Sequence, residues 1–240
     1  SMDGLADYSR NGGYVQGGVT MTNETVKCNF DRGRRFDVDV MDDLETAGLA
    51  FGRLSAQFIR DKVVPELDAF RFASYCGISG VTKKEETLAD GAATVAALSA
   101  AVTAMDDEEV TATGRYLFIT PTLLQGINDM DTTKSKKVLE GFEQVIKVPQ
   151  RRFYTAIKQL SGKTGEEAGG YTKATGAANI NFAIVQKDAL IQYTKHAAPK
   201  IIAPENNPDA DAYVFGYRMV GIAKAYKNML SGMYFSHDKA

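Results

Sequence analysis

The residues that could do chemistry in this sequence are few and lie far apart. Gly162-Lys163-Thr164 has the form of the second half of a phosphate-binding loop, in which backbone amides surround a phosphate and a lysine neutralises it. The complete motif needs a glycine five residues before its second glycine, and that position is Ile157. No strand is predicted directly before the loop and no helix directly after it. We therefore interpret the segment as a flexible loop, and a nucleotide-hydrolysing enzyme is kept as an alternative.

A second motif, Gly77-Ile78-Ser79-Gly80, resembles the sharp turn that carries the nucleophilic serine of many hydrolases. Its second glycine comes one residue early, and a helix is predicted where a strand should precede the turn. A catalytic triad would need His196 or His237, the only two histidines, and nothing in the sequence places either one near Ser79. The sequence therefore predicts no catalytic residue.

The sequence supports a metal or cofactor site no better than it supports a catalytic site. The two cysteines, Cys28 and Cys76, and the two histidines are scattered singly, without the spacing of metal ligands. Two cysteines cannot form a disulfide framework, and they suit a reducing cytosol. The acidic run Asp106–Glu109 lies at a predicted helix end, where charges solvate a terminus. We therefore expect neither a metal nor a cofactor.

The composition predicts an ordinary globular protein. Of the 240 residues, 44% are hydrophobic and 24% are charged. The 28 Lys and Arg residues nearly balance the 30 Asp and Glu residues, so we expect no extended basic surface for nucleic acid. No apolar run is long enough for a membrane span, and the first ten residues lack the pattern of a signal peptide. Membrane-spanning, disordered and strongly basic classes are therefore not expected.

The apolar pattern predicts an α+β chain in which ribbon, helices and strands follow one another in blocks. Residues 3–40 are rich in glycine and alternate in polarity, which predicts a long β-hairpin or ribbon. Residues 42–76 have apolar residues at spacings of three and four, which predicts a long helix that Pro65 kinks or divides. A capping box at Thr82-Lys83-Lys84-Glu85 predicts a further helix over residues 85–105.

The second half of the chain predicts short elements around a sheet. Tyr116–Ile119 has the pattern of a buried strand, and Thr120-Pro121 then caps and starts a short helix. Residues 161–178 are nearly free of large apolar side chains, which predicts a long, mobile surface loop. Further strands are predicted at 145–148, at 180–185 and within 213–235.

Basic clusters remain, and they have two interpretations. As solvated turns they need no partner, and as interface residues they form salt links with neighbouring subunits. A partner is favoured for the first cluster, because the ribbon around it has too few large apolar residues to be stable alone. The clusters are Arg32/Arg34/Arg35, Lys134/Lys136/Lys137 and Arg151/Arg152.

Segments throughout the chain resemble major capsid proteins of tailed bacteriophages. No single motif decides this, and the order and spacing of the segments together carry the resemblance. The segments are DYSRNGGY at 7–14, DRGRRFDVD at 31–39, FIR at 58–60, VPELDAFRF at 64–72, GRYLFITP at 114–121 and the run from 180 to 235.

The resemblance implies the Hong Kong 97-type capsid fold, with an extended β-hairpin loop, a long spine helix, and peripheral and axial domains. Residues 1–40 would form the extended loop and 41–110 the peripheral domain with the spine helix and a second helix. Residues 111–190 would form the axial domain, and 191–240 would return through the peripheral domain to the C-terminal strands.

The implied function is structural: a major capsid subunit that self-assembles into the icosahedral head of a tailed phage around double-stranded DNA. The implied partners are further copies in pentamers and hexamers, packaged DNA in weak contact, and scaffold and portal proteins. Assembly would take place in the bacterial cytoplasm, and the product would be the virion. The alternative of the same fold is an encapsulin-like nanocompartment shell. The expected subunit-interface residues are Tyr8, Arg10, Tyr14, Arg32, Arg34 and Arg35.

One departure from the family pattern affects assembly. The resemblance implies an N-terminal arm and a first strand before Asp7-Tyr8, and the sequence starts close to that point. We therefore expect this chain to be monomeric or weakly associated, with residues 3–30 poorly ordered.

Overall fold

The computed structural model describes residues 2–21, 23–45 and 49–239, without the side chains of residues 44, 45 and 49–52. α2, a π-helical segment and α3 follow one another directly, and we call residues 49–76 the spine helix. The helix predicted at 42–76 includes residues 46–48, which lie outside the described residues. The helical segments are α1 (Val40–Glu45), α2 (Leu49–Phe58), the π-helical segment (Ile59–Val63), α3 (Val64–Cys76), α4 (Gly91–Asp107), α5 (Pro121–Met130) and α6 (Thr133–Glu140).

The prediction that Pro65 kinks or divides the helix is confirmed in part: a π-helical segment divides the α-helical ladder just before Pro65, and the helical path continues beyond it. A proline removes one backbone donor, and its ring clashes with the carbonyl four residues earlier, here that of Asp61. The turn before the proline is widened, because the backbone N–H of Val64 donates to the carbonyl of Ile59, five residues back. The wider turn lets the helix continue through the proline to Cys76.

The strands form two main sheets and a small hairpin. An antiparallel sheet has the order β1-β9-β8, and a mixed sheet has the order β2-β10-β7-β3-β4. The hairpin consists of β5 and β6. The strands are β1 (Phe30–Asp39), β2 (Thr82–Glu85), β3 (Arg115–Ile119), β4 (Gln144–Lys147), β5 (Ile157–Gln159), β6 (Tyr171–Lys173), β7 (Ile180–Gln186), β8 (Leu190–Ile202), β9 (Ala212–Ala225) and β10 (Met233–His237).

The predicted ribbon takes the form of an open loop followed by a strand. We call the described residues between 2 and 29 the arm; single bridges join Met2 to Val19 and Ser9 to Gly13 within it. β1 follows the arm and pairs over ten residues with β9, not with an earlier part of the ribbon. β9 provides β1 with a continuous ladder and with apolar partners such as Phe215, which stacks on Phe36. A continuous two-stranded hairpin within residues 3–40 is therefore not formed by the described residues.

The predicted capping box is wrong. Thr82-Lys83-Lys84-Glu85 forms β2, which lies parallel to β10. The helix starts at Gly91 instead, and the carboxylate of Asp90 caps it by accepting the backbone N–H of Ala93 at 2.8 Å. The loop predicted at 161–178 is also shorter than expected, because it contains β6, which pairs with the preceding strand β5.

The main core surrounds the five-stranded sheet. All seven residues of β7 are buried, so this strand is covered on both faces. Phe182 and Ile184 face a cluster with α4 and α5, while Ala183 and Val185 face a second cluster that includes Tyr75 at the end of the spine helix. Through these contacts α4 packs against β3 and β7, and β10 belongs to the same sheet. The predicted boundaries between the peripheral and axial domains, at residues 110 and 190, stay a prediction.

Candidate subunit-interface site

The tip of the arm is a preorganised turn. The backbone N–H of Gly13 donates to the carbonyl of Ser9 at 2.8 Å, and the Ser9 N–H returns a bond of 3.3 Å to the Gly13 carbonyl. Gly13 has a φ of +72°, the left-handed region that favours glycine. Beside the turn the rings of Tyr8 and Tyr14 meet edge to face, with centroids 5.1 Å apart. The turn therefore brings together three expected interface residues: Tyr8, Arg10 and Tyr14.

The arm exposes apolar side chains in an unusual concentration. Of the thirteen large hydrophobic side chains that are exposed among the described residues, seven lie between residues 2 and 21. Leu5 is fully exposed, and Tyr14 is 91% exposed. A group of exposed apolar side chains on one segment is typical of a surface that contacts another molecule. The seven are Met2, Leu5, Tyr8, Tyr14, Val15, Val19 and Met21.

The base of the arm is anchored where β1 begins. The side-chain amide of Asn29 donates to the carbonyl of Ala223 at 3.0 Å, and its oxygen accepts the N–H of the same residue at 2.9 Å. The Asn29 side chain thus takes the place of a backbone partner for Ala223 at the end of the β1–β9 ladder. Nearby, Lys227 lies 2.8 Å from the carboxylate of Glu24, and this hydrogen bond lowers the pKa of Glu24. The arm therefore leaves the body of the protein from a fixed point.

The three arginines predicted as one cluster are separated by the alternation of β1. Arg32 faces the spine helix, where its Nε donates to Glu66 Oε1 at 2.7 Å. Its terminal nitrogen donates to the carbonyls of Leu160 at 2.7 Å and Gly170 at 3.2 Å. This guanidinium therefore joins β1, the spine helix and the loop between β5 and β6.

Arg34 and Arg35 lie on opposite faces of β1. Arg34 shares the inner face with Arg32 and donates to the carbonyl of Glu167 at 2.9 Å. Arg35 lies on the outer face, where its Nε is 2.9 Å from Asp37 and both side chains are about half exposed. All three arginines bind groups of their own chain; Arg32 is partly buried, and Arg34 and Arg35 are exposed.

A groove of about 670 Å³ separates the inner face of β1 from the spine helix and the loop between β5 and β6. Its walls include Phe36, Leu54 and Phe58, and the rings of Phe36 and Phe58 meet edge to face at 4.8 Å. Sequence reasoning missed this groove, because its walls come from β1, the spine helix, β9 and the loop between β5 and β6, and no spacing in the sequence connects them.

The geometry does not favour nucleotide binding at Gly162-Lys163-Thr164. The segment turns between two antiparallel strands, and the next described element is β6 and not a helix. The amides of this loop already bind carboxylates of the same loop: Ser161 N–H donates to Glu166 and Gly165 N–H to Glu167. A phosphate would have to displace both carboxylates.

The hydrolase motif has no better geometry. Ser79 follows α3 instead of a strand. His196 is exposed in β8 opposite Val220, while His237 ends β10. No group of three or more metal-binding side chains is found among the described residues. The helices that the structure describes include none with the length and hydropathy of a membrane span.

The other basic clusters are partly paired within the chain. Arg152 lies 3.1 Å from Asp68 of the spine helix, and Arg151 lines the groove. Lys136 lies 2.6 Å from Asp131, with both side chains well exposed. The Lys136–Asp131 pair fits the interpretation of solvated surface charges, whereas the partly buried Arg152–Asp68 pair joins residues 150–152 to the spine helix.

Solved structures share this fold over almost the whole chain. In the capsid structure of Cyanophage P-SCSP1u, the match covers 98% of this chain and 81% of that one, with a TM-score of 0.55 and 15% identity. For Gordonia phage Cozz the match covers 100% and 80%, with a TM-score of 0.58 and 10% identity. A virus-like particle from Pyrococcus furiosus matches over 98% and 85%, with a TM-score of 0.57 and 8% identity.

The sequence itself matches no protein-family model and no curated protein. At identities of 8 to 15% the likeness is one of fold. The chain has the α+β capsid fold of the Hong Kong 97 type, as the sequence resemblance implied.

Proposed function

We propose that this chain is a major capsid subunit of a tailed phage, which assembles with copies of itself into an icosahedral head around double-stranded DNA. The observation that carries the proposal is the arm: seven large apolar side chains are exposed on one segment of a chain with a capsid fold. A subunit of a closed shell must bury surface against several neighbours, and an extended segment does this with few residues.

The arm tip provides the residues that we assign to the contact. Tyr8, Arg10 and Tyr14 are of the types that contribute most to protein interfaces, and the tight turn reduces the entropy lost on binding. Arg34 and Arg35 are assigned to the same role because both side chains are exposed. Arg32, which is partly buried and binds Glu66 and two carbonyls of its own chain, is assigned a supporting role inside the subunit.

The assignment of residues to domains is also part of the proposal. We assign residues 1–40 to the extended loop, 41–110 and 191–240 to the peripheral domain, and 111–190 to the axial domain. Packaged DNA in weak contact, a scaffold protein and a portal protein are proposed as further partners. Assembly in the bacterial cytoplasm and a final location in the virion follow from this role.

Electron microscopy of the full-length gene product, expressed in bacteria, tests the proposal. We expect shells of uniform diameter, and preparations without any regular particle would contradict it. The encapsulin-like alternative predicts shells that retain a cargo enzyme and no DNA, so the contents of the particles separate the two. Phosphate release that is lost in Lys163→Ala would instead favour the nucleotide-hydrolysing alternative.

The chain of residues 1–240 is expected to be monomeric or weakly associated in solution. Size-exclusion chromatography with light scattering measures this directly. Stable pentamers, hexamers or shells of this chain would contradict the expectation.

A further inference from the structure

The tip of the arm holds the one asparagine of this chain that is directly followed by glycine, Asn11-Gly12. Both residues are exposed, and they lie in the turn that the reciprocal bonds between Ser9 and Gly13 close. Within the described part of the chain, no hydrogen bond holds the side-chain amide of Asn11. The carbon of this amide is therefore accessible to a nucleophile.

The nearest nucleophile along the chain is the backbone nitrogen of Gly12. Attack of this nitrogen on the Asn11 side chain closes a succinimide ring, and glycine hinders the approach least because it has no Cβ. The eight other asparagines are each followed by a residue with a side chain, as in Asn228-Met229. The chain therefore offers one position where this ring closes easily.

We propose that Asn11-Gly12 is a site of spontaneous deamidation, which converts residue 11 to isoaspartate and opens the turn at the arm tip. The Gly12 nitrogen bonds to Asn11 Cγ, the bond from Cγ to Nδ2 breaks, and the proton of the Gly12 N–H passes through water to the ammonia that leaves. Water then adds to the ring: opening at the main-chain carbonyl gives isoaspartate, whereas opening at the side-chain carbonyl gives aspartate. The co-reactant is water, and no group is oxidised or reduced.

Ser9 limits how often the reaction starts. Its Oγ accepts the Gly12 N–H at 2.7 Å, so the attacking nitrogen is engaged while the turn is closed. The two backbone bonds between Ser9 and Gly13 restrain the main chain on both sides of Asn11. Because none of the residues 9–13 is buried, little apolar burial opposes the local opening that frees the nitrogen. The turn therefore slows the reaction without preventing it.

Isoaspartate changes the length and the charge of the tip. The main chain then passes through Cβ and Cγ of residue 11, which adds one atom between Ser9 and Gly13, so their two bonds lose the geometry that closes the turn. A neutral amide also becomes a carboxylate next to Arg10. The edge-to-face contact of Tyr8 and Tyr14 then loses the turn beside which it forms. This modification depends on the turn alone and goes beyond the proposed function.

Mass spectrometry of peptides from the whole native chain, incubated at neutral pH, tests the site. The peptide with Asn11 should be the first to gain the mass difference between amide and acid, and a purified isoaspartyl methyltransferase should transfer methyl groups to it. The internal control is Asn228, which is also exposed but is followed by Met229. Asn11→Gln should abolish the methyl transfer, because the longer side chain does not close this ring easily. An unmodified Asn11, or equal rates at Asn11 and Asn228, would overturn the site.

Two further measurements test the role of the turn. The Ser9→Ala variant should deamidate about fivefold faster in the native state, the factor expected for the loss of one hydrogen bond, and at the parent's rate in denaturant. Equal native rates, or an acceleration that persists in denaturant, would reject the control by Ser9. Hydrogen exchange of the Gly13 amide should be faster in chains with isoaspartate, while β7 stays protected. Unchanged exchange at Gly13 would overturn the opening of the turn.

Discussion

The five-stranded sheet and the arm differ in what stabilises them. Every residue of β7 is buried between two apolar clusters of the same chain. Between residues 2 and 21, by contrast, seven large apolar side chains are exposed. Because burial of apolar surface contributes roughly 25 cal/mol per Å², the sheet is stabilised within one chain, and the arm can gain comparable stability only against another surface. Under the proposed function, the body is stable by itself and the arm is a contact that a neighbouring copy completes.

The largest expected effect separates the two regions directly. Phe182 is fully buried, so Phe182→Ala should lower the free energy of unfolding by about 4 kcal/mol through lost burial and a cavity. Leu5→Ala, in the arm, should change it by less than about 0.5 kcal/mol, because the side chain is already in solvent. Denaturant unfolding of the two variants measures the difference. Similar losses would mean that the arm is packed in the free chain.

A pair of glycines tests the packing of the body more finely. A Cβ on Gly91 would overlap the carbonyl oxygen of Gly126, an impossible contact with backbone. Gly91→Ala should therefore destabilise the protein by about 3 kcal/mol as α4 and α5 separate. Gly126→Ala is the matched control, since its Cβ meets only ordinary contacts at 3.4 and 3.5 Å and alanine favours the helix. Equal melting temperatures for the two variants would disprove this close crossing.

The reactivity of the two cysteines tests the same difference between the buried body and the exposed arm. Cys76 is buried, and burial raises the pKa of its thiol to about 11, so about one molecule in a thousand carries the thiolate at pH 8. Cys28, in the arm, is exposed. A thiol reagent should label one site of the native protein quickly and the second only on unfolding. Rapid labelling of both sites would show that the end of the spine helix opens easily.

The smallest expected effect is local and depends on pH. The pKa of Glu166 is lowered to about 2, first by its bond to Lys158 and then by the Ser161 N–H. A lowered pKa means that the ionised carboxylate stabilises residues 160–170 above pH 4.5, and that this is lost as pH falls from 4.5 towards 2. Protection factors of these residues should decrease over that range. Glu166→Gln should remove the pH dependence, and an unchanged profile in this variant would contradict the assignment.

Local sequence signals predicted much of the body. Pro65 and Thr120-Pro121 act on their immediate neighbours, so the interruption of the spine helix and the start of α5 could be predicted from residue type alone. The strand at Tyr116–Ile119 was predicted by its apolar run, and the structure has it at Arg115–Ile119.

Long-range competition explains the errors. Thr82-Lys83-Lys84-Glu85 satisfies a helix cap locally, but β10 offers it an edge on which to pair as a strand. The partner of β1 lies some 180 residues away in β9, beyond the reach of periodicity.

The tip residues Tyr8, Arg10 and Tyr14 were expected at an interface from the family resemblance, and their contact with a neighbouring subunit stays a prediction. The contacts of Arg32 and Arg34 within the chain were missed, because they depend on Glu66 and on carbonyls of the loop between β5 and β6.

The most direct test of the central claim compares the arm in free and assembled protein. Hydrogen exchange of residues 2–21 should be fast in the isolated chain and at least roughly tenfold slower in shells of the full-length product, while β7 stays protected in both. Equally fast exchange of the arm in intact shells would contradict the claim that a neighbouring copy completes this contact.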